Sequence, residues 1–144
     1  MAHQFTSFEH QLMQKLLVLA KEKKTLCSPN PAVAAAIYKD ETLISVGVHG
    51  SQGDAHAEVI AINDAGSQSY GAYLMVTLEP CTHFGTTPPC TDSIIQAKLH
   101  TVIYAIADEN PIVKAHSSHA ILEAANINVF SGLLKQQAYD LNKT

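Results

Sequence analysis

Residues 72–99 read Ala72-Tyr73-Leu74-Met75-Val76-Thr77-Leu78, then Glu79-Pro80, then Cys81-Thr82-His83-Phe84-Gly85-Thr86-Thr87-Pro88-Pro89, then a segment opening at Cys90. The first stretch is a short apolar run bounded by turn signals, which predicts a buried strand. Cys81–Pro89 is rich in Gly, Thr and Pro and predicts a loop. Cys90–Leu99 predicts a helix. Downstream the alternation continues: Thr101–Ile106 a strand, His116–Ala125 a helix, Ile127–Phe130 a strand, and 133–141 a short terminal helix. Upstream, His56–Ala65 predicts a helix closed by Gly66 in the C′ position. Ala32–Lys39 and Thr42–Val48 predict two strands. Asp40-Glu41 joins them in a hairpin, although the turn lacks the preferred Asn-Gly chemistry. Phe8, Leu12, Leu16 and Leu19 recur at helical spacing, so residues about 7–22 predict an amphipathic helix, with Lys21, Lys23 and Lys24 suited to its C-terminal end. Ser28-Pro29-Asn30-Pro31 predicts a loop. After an opening helix and hairpin, helices and strands alternate, which predicts an α/β mixed sheet with helices on both faces.

The 144 residues suit one domain, and neither a linker nor an internal repeat interrupts residues 1–144. Apolar residues make up 47% and charged residues 15%. The charged share is below the roughly 25% of typical soluble domains, which argues against disorder. Nine Lys+Arg against thirteen Asp+Glu give a net charge of −4, so nothing neutralises a phosphate backbone broadly. A nucleic-acid partner and a membrane-surface partner are both disfavoured. Apolar runs such as Ala32–Tyr38 fall far short of the ~20 residues that cross a bilayer. No cationic stretch leads into an apolar core at the N-terminus, so no signal peptide is expected. Three cysteines without an export signal favour a reducing, cytoplasmic setting, with thiols available for metal or catalysis.

Three candidate ligands stand out: His56, Cys81 and Cys90. Each is predicted at or just before a helix start, where unused N–H groups and partial positive charge favour a thiolate. One imidazole and two thiolates form a soft donor set suited to tetrahedral Zn2+. Three protein ligands leave the fourth position open, which is the catalytic arrangement. Water there would have its pKa lowered toward ~7. Glu58 lies two residues after His56 and can exchange a proton with that water without competing as a ligand. Pro80 stiffens the approach to Cys81 by fixing its own φ. Cys27 has no ligand spacing and is expected as a small core hydrophobe. His116 and His119 are expected at an exposed helix start.

His56-Ala57-Glu58 followed by Pro80-Cys81 and a second cysteine resembles the zinc-dependent nucleobase deaminases, whose signature includes a glutamate that is not a ligand. General members carry Pro-Cys-x-x-Cys. Here eight residues separate Cys81 from Cys90. That longer loop is similar to the pyrimidine deaminase of bacterial riboflavin biosynthesis. The likeness extends to Ser28-Pro29-Asn30-Pro31, to His49 ahead of Gly53, to Val76-Thr77-Leu78-Glu79-Pro80-Cys81, to Asp108 with Asn110-Pro111, and to Ala124-Ala125-Asn126-Ile127. It covers roughly residues 8–142. The resemblance implies a three-layer α/β/α cytidine-deaminase-like fold with a mixed five-stranded sheet, and a homo-oligomer. It implies release of ammonia from the 2-amino group of a small-molecule aminopyrimidine, 2,5-diamino-6-ribosylaminopyrimidinone 5′-phosphate. Zinc would be held by His56, Cys81 and Cys90, and Glu58 would move the proton. Asn30, His49 and His83 match positions that line the substrate pocket.

Some residues depart from the family pattern. Thr86 stands where the family has Lys or Arg, so a charge-assisted contact worth roughly 1.5–3 kcal/mol to a phosphate is missing. Ala34, Ala115 and Ser117 replace glycines, and Glu109 replaces a proline. The NADPH-dependent reductase domain that accompanies the family is not in this sequence, which leaves a separate reductase as an expected partner. Two alternatives stay open. One is the same chemistry on a different pyrimidine, pterin or purine, including an unphosphorylated one. The other is a non-catalytic binding module on the zinc fold. Asn30, His49 and His83 also admit backbone-bracing roles.

Overall fold

The computed structural model describes residues 4–27, 33–49, 56–80, 90–106 and 118–142. Helix α1 spans Ser7–Cys27, and strands β1 and β2 span Ala34–Lys39 and Thr42–Val48. Helix α2 is Ala57–Ala65, followed by a 3-10 turn over Gly66–Ser69. Strand β3 is Tyr73–Leu78, α3 Cys90–Gln96 and β4 Thr101–Ile106. Helix α4 is Ser118–Ala124, β5 Asn128–Ser131 and α5 Lys135–Asn142. The five strands form one sheet in the order β2-β1-β3-β4-β5. β1 is antiparallel to β2 and to β3, whereas β3–β4 and β4–β5 are parallel. The expected mixed five-stranded sheet is therefore present. Each parallel pair requires a crossover: α3 supplies that of β3–β4 and α4 that of β4–β5.

Alternation along the strands splits the core into two layers. Ala34, Ala36, Tyr38, Met75, Ile103 and Ala105 face α1 and α5, meeting Leu12, Met13, Leu16 and Ala138. Ala35, Ile37, Leu74, Val76, Val102 and Val129 face the other way, meeting Ala57, Ala61, Ile94 and Leu122 from α2, α3 and α4. The expected α1 stripe is buried at Leu12 and Leu16, with Phe8 and Leu19 packed at its margin. The helix runs to Cys27, five residues past the expected end near 22. Cys90–Leu99 ends earlier than expected, at Gln96, because Lys98 turns to φ 57°. His119 lies on the exposed side of α4, 3.2 Å from Glu123 one turn on, while His116 lies outside the described residues.

The hairpin turn is of the primed kind, with Asp40 at φ 51° and Glu41 at φ 62°. Left-handed backbone at two residues that are not glycine carries strain. The antiparallel ladder closed by Lys39 and Thr42 holds it in place. Ser45 pairs with Ile37 and Leu43 with Tyr38, so Ile44 is the extra residue of a bulge. At the same end of the sheet, Thr6 and Glu9 form a reciprocal cap. The Thr6 N–H donates to Glu9 Oε1 at 2.9 Å and the Glu9 N–H donates to Thr6 Oγ1 at 3.1 Å. The Tyr38 hydroxyl donates to Glu9 Oε2 at 2.7 Å inside the protein. Burial, reinforced by the Glu9 bond and charge, pushes that hydroxyl well above its ordinary pKa, so it stays a donor. The signal for the cap was Thr6-Ser7-Phe8-Glu9 ahead of an apolar run.

Gly47 fixes how closely α2 lies on the sheet. A Cβ at that position would overlap the Ala57 carbonyl oxygen and stand 2.8 Å from Ala61 N and 2.9 Å from Ile60 Cβ. The Ser45 hydroxyl adds a bond to the Ala61 carbonyl at 2.6 Å. Gly47→Ala must therefore move the first turn of α2. The expected cost is about 1–3 kcal/mol, measured as a lower urea midpoint. An unchanged midpoint would mean that the contact yields freely.

Candidate metal and catalytic site

The β3–β4 pair ends with Leu78 beside Ile106. β1 runs antiparallel to β3, so its first residue, Ala34, lies at that same end, and Val48 of β2 pairs with Ala34. The starts of α3 and α4 belong there too, because each follows a strand that ends there. In open α/β sheets this carboxyl end is where ligands bind. The described residues among those singled out by sequence, His49, His56, Glu58 and Cys90, thus converge on one end of the sheet.

His56 is the N-cap residue of α2, with extended backbone at φ −67° and ψ 157°, and its carbonyl accepts the Ile60 N–H at 3.1 Å. Its side chain makes no cap hydrogen bond. Instead its Nδ1 lies 3.0 Å from Cys90 Sγ. Two predicted ligands separated by 34 residues are thus in contact. Cys90 opens α3 and is wholly buried. Glu58 occupies the first turn of α2 and is only 4% exposed. A carboxylate so placed shares the helix start with His56 and is screened from bulk water.

His49 lies just past β2 at 6% exposure. Its ring stands edge-on to His56 with centroids 5.6 Å apart and an interplanar angle of 89°. Its N–H donates to the Val33 carbonyl at 3.0 Å, which sets the chain leaving β2 against the chain entering β1. Thr77 does similar work deeper in the sheet, where its hydroxyl accepts the Ala34 N–H at 3.2 Å. Cys81, His83 and Asn30 lie outside the described residues, as does Thr86. The structure thus brings together His49, His56, Glu58 and Cys90.

A contact absent from the sequence reading involves Glu79. Its N–H donates to the Ile106 carbonyl at 2.9 Å. Its carboxylate Oε2 accepts from the Ser118 hydroxyl at 2.7 Å and from the Ser118 N–H at 3.3 Å. Glu79 therefore joins β3, β4 and α4. Tyr104, on β4, has its hydroxyl pKa raised first by burial and then by the Glu79 charge, against a lowering bond with Ser131. The available signal was a glutamate directly before Pro80-Cys81, but its partner lies 39 residues away.

The donors fit a zinc ion chemically: an imidazole nitrogen and a thiol sulfur, both carried on helix starts and already in contact. No cluster of three candidate ligands occurs among the described residues, which do not include Cys81. A separate cavity of about 280 Å³ lies at the hairpin end, against Glu9, Tyr38 and His100. No helix among the described residues is long and apolar enough to cross a membrane.

Comparison with known proteins is consistent with this geometry. Residues 6–106 match the family model of the cytidine and deoxycytidylate deaminase zinc-binding region. The riboflavin biosynthesis protein RibD of Bacillus amyloliquefaciens is 45% identical over 94% of this chain, which spans 36% of that protein. The diaminohydroxyphosphoribosylamino-pyrimidine deaminase of Buchnera aphidicola is 37% identical over 91% of this chain and 88% of its own length. The solved structure of Acinetobacter baumannii RibD superposes with a TM-score of 0.88 at 40% identity, covering 94% of this chain and 38% of that one. The chain thus spans little more than a third of the RibD relatives it matches.

Removing either contacting donor tests the pair directly. His56→Ala and Cys90→Ser are each expected to lower the zinc content of purified, folded protein, measured by elemental analysis. Undiminished metal in both variants would exclude the pair from the ligand set.

Proposed function

The chain belongs to the cytidine and deoxycytidylate deaminase zinc-binding family, and from that membership we propose that it hydrolytically deaminates an aminopyrimidine, namely the 2,5-diamino-6-ribosylaminopyrimidinone 5′-phosphate of riboflavin biosynthesis. The observation that carries the reading is the 3.0 Å meeting of His56 and Cys90 beside the buried Glu58. The likeness to the Buchnera deaminase, over nearly its full length, supports the substrate. His56, Cys81 and Cys90 would hold zinc. When bound, the metal supplies Lewis-acid chemistry that makes water a nucleophile near neutral pH.

The protein's own part follows from placement. Water adds its oxygen to the ring carbon bearing the amino group. The Glu58 carboxylate takes a proton from that water and passes it to the departing nitrogen. The carbon–nitrogen bond breaks and ammonia leaves; the water's second proton ends on the adjacent ring nitrogen, whose double bond to that carbon opened on addition, so a ring carbonyl remains. Burial of Glu58 keeps bulk water from competing for the proton. We assign His49, whose ring stands edge-on to His56, to orienting the substrate ring, and propose Asn30 and His83 for the same pocket. In this reading the enzyme is cytoplasmic and a homo-oligomer, and its product passes to a reductase.

Glu58→Gln keeps the shape and removes the base. It is expected to lower kcat by about 10²–10⁴-fold while zinc content stays unchanged, with ammonia release as the readout. Retained turnover would remove Glu58 from the chemistry. Thr86, where the family carries a cation, favours a second reading in which the substrate lacks the phosphate. Comparing the nucleotide with its dephosphorylated form separates the two. A strong preference for the phosphate ester supports the riboflavin intermediate, and equal or better turnover of the free form supports the second reading.

A further inference from the structure

We propose that Glu79 is a positioning residue for the metal site, holding the chain that leads into Cys81 by fastening the end of β3 to the start of α4. The proposal rests on the reading of Cys81 as a zinc ligand given above. Glu79 is anchored at both of its functional ends. Its backbone N–H is fixed on Ile106 of β4, and its carboxylate on the hydroxyl and N–H of Ser118. Those bonds leave little freedom at the exit of β3. The next residue, Pro80, is buried and has its φ set by its ring. Cys81 follows directly in the chain. Two consecutive constrained residues therefore precede the ligand, and the first is constrained from a different element.

The arrangement also links the two crossovers of the parallel sheet. α4 follows β4, and α3, carrying Cys90, follows β3. A partly buried carboxylate bridging β3 to α4 fixes the far side of the same sheet end where His56 meets Cys90. A glutamate that served only to cap α4 would support stability alone. A glutamate that places a ligand must also set how tightly metal is held, since partners of that kind change affinity by about 10–100-fold.

The test titrates metal-free protein with cobalt(II), reading the thiolate-to-cobalt absorption. Zinc affinity is measured in parallel by competition with a chelator, at a temperature where every variant is folded. Glu79→Ala is expected to weaken zinc about tenfold or more and to diminish the thiolate band. Ser118→Ala should act in the same direction but less, and the double variant should be no weaker than Glu79→Ala alone. Glu79→Gln keeps an acceptor oxygen and should stay close to the parent, which also guards against a poorly folding Glu79→Ala. Parent-like zinc affinity in Glu79→Ala with a lowered melting temperature would overturn the proposal and leave Glu79 a structural cap. A full extra loss from Ser118→Ala on top of Glu79→Ala would overturn the coupling. Cys90→Ser is the control: if it leaves the cobalt spectrum of the parent unchanged, the metal reading itself fails, and this inference with it.

Discussion

The backbone of α2 rests on β2 at a point where only a hydrogen atom fits. At Gly47 the Ala57 carbonyl and the Ala61 nitrogen approach so closely that any side chain would collide with them. That approach sets the height and angle of a nine-residue helix too short to be stable alone. Because His56 and Glu58 sit in or beside its first turn, the same contact decides where an imidazole and a carboxylate stand. Alanines continue the pattern. Ala57, Ala61 and Ala65 line the inner side of α2, and Ala35 meets them from β1. Small side chains bring the layers together, so backbone geometry rather than long flexible stems positions the chemistry.

The two ends of the sheet divide the labour. At the hairpin end, Glu9 is satisfied by Thr6 and Tyr38, and Phe8, Tyr38, Tyr73 and His100 follow one another at centroid spacings of 5.3–5.5 Å. Buried polar groups there are locked in mutual bonds, and unmade bonds would cost the most at such a depth. At the opposite end, His49, His56, Glu58 and Cys90 are packed together without any described lysine or arginine among them, and the groups gathered there are ones that bind metal or carry protons. Stability concentrated in one place lets the other be built from groups chosen for reactivity.

Much of this was readable in advance because it is local. Thr42–Val48 and Thr101–Ile106 were legible as strands from their β-branched, apolar runs, and the structure begins and ends them at the same residues. His56 and Cys90 were legible as a pair of candidates because imidazole and thiol at helix starts have few other uses, and the structure brings the two side chains into contact. What escaped was non-local or spatial. Gly47 looks like any strand glycine until a helix is laid across it. The Ile44 bulge follows from pairing that neither strand reveals alone. Glu79 and Ser118 become partners only when a parallel crossover returns the chain to the same sheet end. The overlong reading of Cys90–Leu99 has a local cause, since Lys98 in left-handed backbone stops the helix without a glycine to mark it.

The run of rings at the hairpin end has an optical meaning. The chain holds five tyrosines and no tryptophan, so its near-ultraviolet signal belongs to phenols rather than indole. Tyr38 and Tyr73 are held against each other at a 55° tilt and Tyr73 stacks on His100, whereas Tyr70 and Tyr139 project into solvent. Fixed chromophores give strong circular dichroism and freely turning ones give little. Melting of the hairpin end is thereby visible in a wavelength window separate from that of any sulfur–metal absorption at the opposite pole, and unravelling of the two poles is open to being timed apart in a single sample.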